Sequence, residues 1–414
     1  MSGPVDPVVI VGAGAAGTMA AIFAAEEGCD VLLLESTNNG GRKIVISGGG
    51  RCNVLPSRAQ PSRFVTASSP NTLKKILLSW PLADQRRFFE ERLGIPLALE
   101  EETGKLFPVS NRSRDVRDGL YDLARRRGAE ISFGTKVTGL KPPVGDRPWR
   151  VVVDGAEVRA SRVILATGGL SVPASGSDGA GLRIAERLGH TVHPTFPALT
   201  PLVCDPPQHG DLAGVSLDVE LTAPLGRGRF TTRGGFLFTH RGYSGPSVLD
   251  ISHLAVLSEM DGGPPQEIRV RWADADAEGW DRRLREGGAG EVGPLVRRHL
   301  PTRLADRLLA EASVDAGRPL AGLRREERAA LVEVLARYLL PWTGDEGYKK
   351  AEVTGGGIAL SEVDPRTLES RFQPGLFLCG EMLDAFGPIG GYNFLWGWAT
   401  GRAAGLGASR IPRA

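Results

Sequence analysis

The stretch VVIVGAGAAG at residues 8–17 decides the fold of this 414-residue chain. Its first four residues form a continuous apolar, β-branched run, which is typical of a central strand covered on both faces of a sheet. Gly12, Gly14 and Gly17 then follow in the spacing GxGxxG. In this pattern the first glycine permits a tight turn, the second lets the backbone approach a pyrophosphate, and the third lets helix and strand pack closely. The stretch therefore predicts a strand, a phosphate-binding turn and the start of a helix.

The residues after this turn complete a βαβ unit of the dinucleotide-binding kind. An alanine-rich, proline-free stretch up to Gly28 predicts the helix, and VLLLE at 31–35 predicts the second strand. We expect phosphates at the positive end of the helix dipole, beside Ala15 and Ala16. Glu35 ends the second strand, where its carboxylate can accept hydrogen bonds from ribose hydroxyls. A GxGxxG pattern alone is weak evidence for dinucleotide binding. Together with the preceding strand, the following helix and the acidic residue that ends the second strand, it favours dinucleotide binding over a plain α/β turn.

Three later motifs decide between FAD and NAD, which share this pattern. VILATGG at 163–169 is a further strand ending in Thr-Gly, typical of two-dinucleotide-fold flavoproteins. GLFLCGE at 375–381 puts a carboxylate after a strand, placed to hold ribityl hydroxyls. GPIGGYN at 387–393 precedes a helix and brings backbone N–H groups and a helix dipole to the flavin pyrimidine edge. Together they favour noncovalent FAD, with predicted contacts at Val137, Thr167, Gly168, Gly380, Glu381, Gly390, Gly391, Tyr392 and Asn393.

The segment GGRKIVISGGGRCN at 40–53 combines five glycines with three cations. This composition predicts a poor helix or strand, and a loop that can wrap a phosphate or lie flat beside a planar ring. We expect Arg42 and Lys43 to contact the pyrophosphate. A flexible surface loop is the alternative. The expected contacts with the isoalloxazine are Ser47, Gly48, Gly49, Gly50 and Asn53.

Residues 40–53, together with the 12–17 turn, resemble the BaiN-like (YhiN-like) flavoproteins, a family also described as aminoacetone-oxidase-like or as NAD(P)/FAD-dependent oxidoreductases. Further stretches match the same family, namely GKLFPVS at 104–110, FLFTHRGYSGP at 236–246, AEVTGGG at 351–357, GE at 380–381 and GGYNFLW at 390–396. The likeness spans nearly the whole chain. It implies an α/β, discontinuous, Rossmann-like FAD domain of the two-dinucleotide-binding-fold type, which carries an inserted β-rich domain with a small helical part.

Between residues 190 and 347, ahead of the strand in GLFLCGE, the sequence no longer shows continuous apolar strands followed by glycine. Short alternating strands such as LDVEL at 217–221 and IRVRW at 268–272 precede an Arg/Glu/Leu-rich helical stretch. This inserted part carries 18 Arg, no Lys and 22 Asp or Glu, a net charge of −4, so it is not a basic surface for nucleic acid. The predicted division has FAD-domain segments at 1–189 and 348–414 and an inserted domain at 190–347.

The resemblance implies two chemistries, reduction of an activated C=C bond and oxidation of a small amine. We expect the first, with NAD(P)H as donor and a small molecule or nucleobase as acceptor. An amine oxidase using O₂ and a non-catalytic FAD-carrying RNA- or protein-binding module are the alternatives. In the insert no second GxGxxG follows a predicted strand, so NAD(P)H would bind transiently over the flavin.

Reduction of a C=C bond also needs a proton donor. Cys52 is one candidate, and the adjacent Arg51 is expected to lower its thiol pKa, which counts slightly against an acid role. His240 follows the strand-like FLF and is the other candidate. For both residues a packing role is the more common one. Trp396 and Trp398, at helical spacing, either line the flavin site or belong to the core.

Composition narrows the remaining classes of function. With 50 Lys+Arg against 48 Asp+Glu, the net charge of +2 gives no global field for nucleic acid or an anionic membrane. Arginines concentrated in 80–130 predict a patch for RNA or an anionic substrate or, by default, solvated helix faces. No long apolar segment, signal peptide or metal-ligand spacing occurs, and the four cysteines are scattered. We therefore expect a cytoplasmic protein with reduced thiols, no membrane partner and no metal site.

Overall fold

The computed structural model describes residues 6–145 and 147–410, and the chain divides into two compact units. The first unit combines the residues up to Pro197 with those from Glu352 onward, and the second spans Ala198–Ala351. The sequence places these boundaries at 189/190 and 347/348. Residues 190–197 belong to the first unit because the strand Val192–Ala198 pairs with the strand Val353–Ile358, whereas residues 348–351 belong to the second unit.

The strands and helices of the described residues are numbered in chain order. The strands are β1 (Val8–Val11), β2 (Val31–Glu35), β3 (Leu55–Pro56), β4 (Leu97–Glu100), β5 (Lys105–Pro108), β6 (Ala129–Phe133), β7 (Val137–Lys141), β8 (Trp149–Val153), β9 (Ala156–Ala160), β10 (Arg162–Leu165), β11 (Val192–Ala198), β12 (Leu202–Val203), β13 (Ser216–Leu225), β14 (Gly228–Phe238), β15 (Gly242–Ser244), β16 (Arg269–Arg271), β17 (Tyr338–Leu339), β18 (Gly344–Asp345), β19 (Val353–Ile358) and β20 (Leu376–Leu378). The α-helices are α1 (Ala15–Glu26), α2 (Arg42–Gly50), α3 (Pro70–Leu77), α4 (Leu82–Arg87), α5 (Ser113–Arg126), α6 (Ala180–Arg187), α7 (Pro246–Met260), α8 (Ala277–Glu286), α9 (Val292–Arg297), α10 (Thr302–Glu311), α11 (Arg325–Ala336) and α12 (Tyr392–Arg410). Among the helices within these described ranges, none has the length and apolarity needed to cross a membrane.

A five-stranded parallel sheet forms the centre of the first unit, in the order β20-β10-β1-β2-β6. β1 pairs with β10 on one side and β2 on the other, so that Val9 lies opposite both Val163 and Leu32. All four residues of β1 are buried, as their continuous apolar run predicts. Because the carboxyl ends of parallel strands meet at one edge, the segments after β1, β2, β10 and β20 converge there. Ligands of such sheets bind at that edge.

Helix α1, which follows the glycine turn, packs on α12 at backbone distance. It is buried from Ala16 to Ala25, so it lies between other elements of the unit rather than at its surface. Gly401 and Gly405 of α12 admit the close approach, because a Cβ would lie 2.2 Å from Ala16 O and 2.4 Å from Ala20 O, respectively. The carboxyl-terminal helix therefore fixes the position of the phosphate-binding turn.

The second unit is built on a seven-stranded antiparallel sheet in the order β17-β16-β13-β14-β15-β12-β18. The long hairpin of β13 and β14 sets Ser216 opposite Leu237, and α7 packs on this hairpin. Helices α8 to α11 complete the unit, whose core contains Trp272 and Trp280. This is the β-rich insert with a small helical part that the sequence predicted.

Candidate cofactor site

The turn between β1 and α1 has the geometry of a phosphate-binding turn. Gly12 has φ 102°, and a Cβ on Gly17 would lie 1.8 Å from Gly12 O, so only glycine lets α1 pack on the turn. At Gly14 a Cβ would meet no atom within 4 Å, and no side chain caps α1. The unpaired N–H groups of the first turn, which contains Ala15 and Ala16, therefore border open space that suits a pyrophosphate.

Glu35 at the end of β2 is fixed beside this turn. It is 7% exposed, and its Oε2 accepts a hydrogen bond from Ala13 N–H (2.9 Å). Its Oε1 accepts from Thr37 N–H (2.8 Å) and Thr37 Oγ1 (2.6 Å). The hydroxyl of Tyr121 donates to Ala13 C=O (2.7 Å), a contact that no local pattern in the sequence indicates. The remaining lone pairs of the Glu35 carboxylate suit ribose hydroxyls.

The segments after β10 and β20 reach the same edge of the sheet. A Cβ on Gly380 would lie 2.9 Å from the Ala16 Cβ, so the segment after β20 contacts the first turn of α1. Thr167 and Gly168 follow β10 and are partly buried, and Thr167 Oγ1 has no hydrogen-bond partner in the described part of the chain. Val137, also predicted as a contact, begins β7 and packs in the core of the first unit.

Glu381 lies in a polar cluster with Lys43. The Lys43 Nζ atom is 2.7 Å from Glu381 Oε2 and 2.9 Å from Oε1. Ser171 Oγ and Thr354 N–H also donate to the same carboxylate. The sequence assigned Lys43 to the pyrophosphate and Glu381 to the ribityl chain, whereas in the structure the two side chains pair with each other.

Residues 42–46 are helical, in contrast to the predicted loop. This turn of α2 is held from α5, where Ser113 Oγ donates to Val45 C=O (2.8 Å). Ile44 is the buried residue of α2. Its burial and the hydrogen bond from Ser113 are tertiary interactions, which override the poor local helix propensity of this segment. Arg42 is exposed, and its guanidinium contacts Ala174 C=O.

The loop character appears from Ser47 onward. The backbone is left-handed at Gly48, Gly49 and Gly50, with φ values of 56°, 68° and 86°, and again at Cys52, with φ 62°. A Cβ on Gly49 or Gly50 would meet no atom within 4 Å. This glycine loop therefore presents bare backbone to open space, as an approach to a planar ring requires.

Asn53 connects the glycine loop to the carboxyl-terminal motif. With its carboxamide oriented to satisfy both neighbours, the oxygen accepts from Gly391 N–H (3.0 Å) and the nitrogen donates to a backbone carbonyl (3.2 Å). Gly390 and Gly391 have φ values of 114° and 90°, which favour glycine at both positions. Asn393 closes the turn through two 2.9 Å hydrogen bonds to the backbone of Gly387. The two glycine-rich segments predicted to border the flavin are therefore in contact.

The chain matches the family model described as the HI0933-like protein Rossmann domain over residues 6–407. It belongs to the HI0933-like family. A 3-dehydro-bile acid delta(4,6)-reductase of Clostridium scindens is 32% identical over 97% of this chain and 99% of that protein. A ribosomal RNA dihydrouridine synthase of Escherichia coli is 33% identical over 95% of each chain. These matches confirm the family resemblance drawn from residues 40–53.

Solved structures support the same fold. A 3-ketosteroid-delta4-(5alpha)-dehydrogenase from Rhodococcus jostii RHA1 has a TM-score of 0.51 to this HI0933-like protein. The alignment covers 99% of this chain and 98% of that one at 17% identity, so it shows the fold alone. Family and fold together make the HI0933-like chain an FAD-dependent oxidoreductase with a Rossmann-type FAD domain.

Cys52 of this HI0933-like protein is a buried, protonated thiol. Burial raises its pKa to about 12, and a hydrogen bond with Ser47 opposes the shift only in part. The expectation that Arg51 lowers this pKa is wrong. The Arg51 guanidinium pairs with Glu100 (3.0 Å) and lies 4.0 Å from the centroid of the Phe107 ring. Its charge is therefore engaged elsewhere, although the two residues are neighbours in sequence.

His240 and His193 lie in different surroundings in the structure. His240 is exposed in a turn of the second unit, between β14 and β15. His193 in β11, which was not predicted, has its Nε2 atom 3.8 Å from Asp384 Oδ2. Asp384 is 2% exposed and accepts hydrogen bonds from Thr66 Oγ1 (3.0 Å), Ser68 N–H (2.8 Å) and Ser68 Oγ (2.7 Å). The buried carboxylate thus faces a histidine side chain that is 30% exposed.

The aromatic residues of the carboxyl-terminal motif belong to the core. Trp396 and Trp398 are 1% and 0% exposed, and their indole N–H groups donate to the carbonyls of Gly380 and Val54. Tyr392, predicted as a flavin contact, is buried, and its hydroxyl donates to a backbone carbonyl at 2.9 Å. Trp396 and Trp398 therefore belong to the core, which was one of the two alternatives that the sequence left open.

Arginines between residues 80 and 130 are largely paired with local carboxylates. Such exposed pairs carry little energy, and they offset part of the positive charge of the stretch that the sequence left open as an RNA or anion patch. The pairs are Arg86–Glu90, Arg87–Asp84, Arg117–Asp118, Arg125–Asp122 and Arg127–Glu26.

Proposed function

We propose that this protein reduces an activated C=C bond in a small molecule or a nucleobase, with NAD(P)H as the electron donor. The observation that carries the proposal is the full-length similarity to a delta(4,6)-reductase and to a dihydrouridine synthase. Both names describe the saturation of a C=C bond, which is two-electron chemistry. FAD, when bound, supplies the hydride for such a step.

The role of the protein chain in this reaction is to bind and orient the reactants. The first N–H groups of α1 would hold the pyrophosphate, Glu35 the ribose and Glu381 the ribityl chain. The bare backbone of Gly49 and Gly50 and the turn at Gly391, joined to it through Asn53, would border the ring. These groups are supplied by segments already fixed by hydrogen bonds, which limits the loss of conformational entropy on binding.

A proton must also reach the carbon next to the one that takes the hydride. Cys52 is a poor donor because its pKa of about 12 keeps the proton on sulfur. We assign the role to His193, whose partly exposed imidazole can exchange protons with water. Its partner Asp384 lies three residues before Gly387, at the start of the turn predicted to border the flavin. His240 stays a prediction.

His193→Gln is expected to slow reoxidation of the reduced flavin by an acceptor by about a hundredfold or more, since a general acid contributes about 10²–10⁴-fold. Reduction of the flavin by a nicotinamide should keep its rate, because that half-reaction needs no proton from the chain. Stopped-flow absorbance measures both. Cys52→Ser is the control and should leave both rates unchanged. An equal loss in both half-reactions, or a loss only in Cys52→Ser, would argue against His193 as the donor.

NADH or NADPH is expected to bleach the flavin absorbance of the anaerobic protein within seconds. The rate should rise in proportion to nicotinamide concentration without saturating, because the insert has no GxGxxG between a strand and a helix to hold the donor. Its GxGxxG at residues 288–293 follows helix α8 instead. Adding an enone, uridine or ribosomal RNA should then restore the absorbance if it is an acceptor.

Three other outcomes would redirect the assignment. Flavin peaks that persist with both nicotinamides would exclude NAD(P)H as the direct donor. Peroxide formed in the presence of small amines would indicate an amine oxidase. Inertness to both, with RNA retained on purification, would indicate a binding module.

A further inference from the structure

Four polar side chains from four separate segments meet beside the end of β20, and we call them the Lys43 cluster. Lys43 comes from α2, Ser171 from the segment after β10, Thr354 from β19 and Glu381 from the segment after β20. The ammonium of Lys43 lies 2.7 and 2.9 Å from the two Glu381 oxygens and 2.5 Å from Ser171 Oγ. Ser171 Oγ lies 2.8 Å from Glu381 Oε1, and Thr354 N–H donates to that oxygen at 3.1 Å.

The Lys43 cluster is closely packed and largely shielded from water. A Cβ on Gly169 would lie 2.3 Å from Thr354 Oγ1 and 3.0 Å from Glu381 Oε1. Thr354 Oγ1 also accepts two backbone N–H groups of the segment after β10, at 2.7 and 3.1 Å. The side chains of Lys43 and Glu381 are only 25% and 18% exposed. An ion pair with this many donors is geometrically fixed, and breaking it would leave a poorly hydrated charge.

The donors of Lys43 are used within the cluster. An ammonium has three N–H groups, and the two Glu381 oxygens and Ser171 Oγ account for all three. The groups that would hold FAD, namely the first turn of α1, Glu35, Glu381 and the backbone of Gly49, Gly50 and Gly391, are called the FAD cradle. The Lys43 cluster borders its phosphate end, because Gly380, the residue before Glu381, contacts Ala16 in the first turn of α1. The net charge of the Lys43–Glu381 pair therefore contributes to the electrostatic potential at a ligand bound over the first turn of α1.

We propose that Lys43 is a positioning residue that neutralises Glu381 in the FAD cradle and so sets the reduction potential of the flavin, rather than a ligand of the pyrophosphate. The proposal rests on FAD binding and on Glu381 facing the cofactor, and it is independent of the acceptor and of the electron donor. Reduction adds negative charge to the flavin. An unpaired carboxylate nearby opposes that step, whereas an unpaired ammonium favours it.

The test is a charge cycle built from Lys43→Met, Glu381→Gln and the double variant. At the potential where the unaltered flavin is half reduced, the ratio of reduced to oxidised flavin should fall about tenfold in Lys43→Met and rise about tenfold in Glu381→Gln. The double variant, which has neither charge, should return to within about threefold of the unaltered protein. Lys43→Arg keeps the positive charge and should do the same.

The ratio is measured by slow anaerobic reduction with a reference dye, without nicotinamide or acceptor, so failure here is distinct from failure of the proposed reaction. Ser171→Ala is the matched control, because it removes a neutral partner and leaves both charges. Shifts in the same direction in both single variants would overturn the proposal. So would unchanged ratios together with a large loss of FAD affinity in Lys43→Met alone, which would identify a pyrophosphate ligand. If Lys43→Met does not fold, Glu381→Gln must still raise the ratio.

Discussion

The Gly14→Val variant is expected to fold as the unaltered chain does and to purify without FAD. Gly14 has φ −80° and ψ −167°, a region that valine adopts without strain. A Cβ there would meet no protein atom within 4 Å, so the chain itself does not resist the substitution. The added methyl groups instead occupy the space in front of the first N–H groups of α1. We expect the FAD dissociation constant to rise at least about a hundredfold, or about 2.7 kcal/mol.

Gly322→Val provides the matched control for this experiment. Gly322 also has no atom within 4 Å of its would-be Cβ and no left-handed φ, but it lies in the second unit. It should retain FAD in full. Flavin absorbance per chain and fluorescence titration with FAD measure the difference, while circular dichroism checks that both variants fold. A yellow Gly14→Val protein with unchanged affinity would show that the phosphate turn is misassigned.

The parts of the site that the sequence predicts are those that depend on local backbone chemistry. Gly12, Gly14 and Gly17 each serve one backbone requirement within a ten-residue window, so their spacing alone indicates strand, turn and helix. The parallel sheet follows because continuous apolar strands joined by a helix have few other arrangements. The family motifs then predicted FAD, and the family match over residues 6–407 supports that cofactor.

The parts that the sequence does not predict depend on contacts between distant residues. Lys43 and Glu381 are 338 positions apart, and no local pattern links a cation in one glycine-rich segment to a carboxylate in another. The pair His193 and Asp384 is hidden for the same reason. Cys52 shows the converse, because its neighbour Arg51 points to Glu100 and burial alone raises the thiol pKa. Because Arg51 and Cys52 are adjacent in sequence, an interaction between them is expected that the structure does not contain. The two ion pairs are not expected from the sequence, because their partners are far apart along the chain.

Gly401→Ala is expected to destabilise the first unit strongly although it adds a single methyl group. That Cβ would lie 2.2 Å from Ala16 O and 2.9 Å from Ala16 C, which are backbone atoms of α1 and cannot rotate away. Helices α1 and α12 must separate to relieve the overlap, and the buried faces of both lose contact. Overpacking of this kind costs about 1–3 kcal/mol and more where backbone is involved, so we expect a loss of about 3 kcal/mol.

Gly397→Ala, one turn earlier on the same helix, separates this clash from any general effect of alanine. Its Cβ would lie 3.6 Å from the Ala15 Cβ, an ordinary contact, and alanine raises helix stability over glycine by about 1 kcal/mol. The midpoint of urea unfolding, followed by tryptophan fluorescence, should therefore shift to a lower urea concentration in Gly401→Ala. In Gly397→Ala it should stay the same or shift to a higher concentration. Because α1 carries the phosphate turn, Gly401→Ala should also weaken FAD binding without altering any residue of the cradle. Equal midpoints for the two variants would mean that α1 and α12 do not pack at backbone distance and that α12 does not fix the position of the phosphate turn.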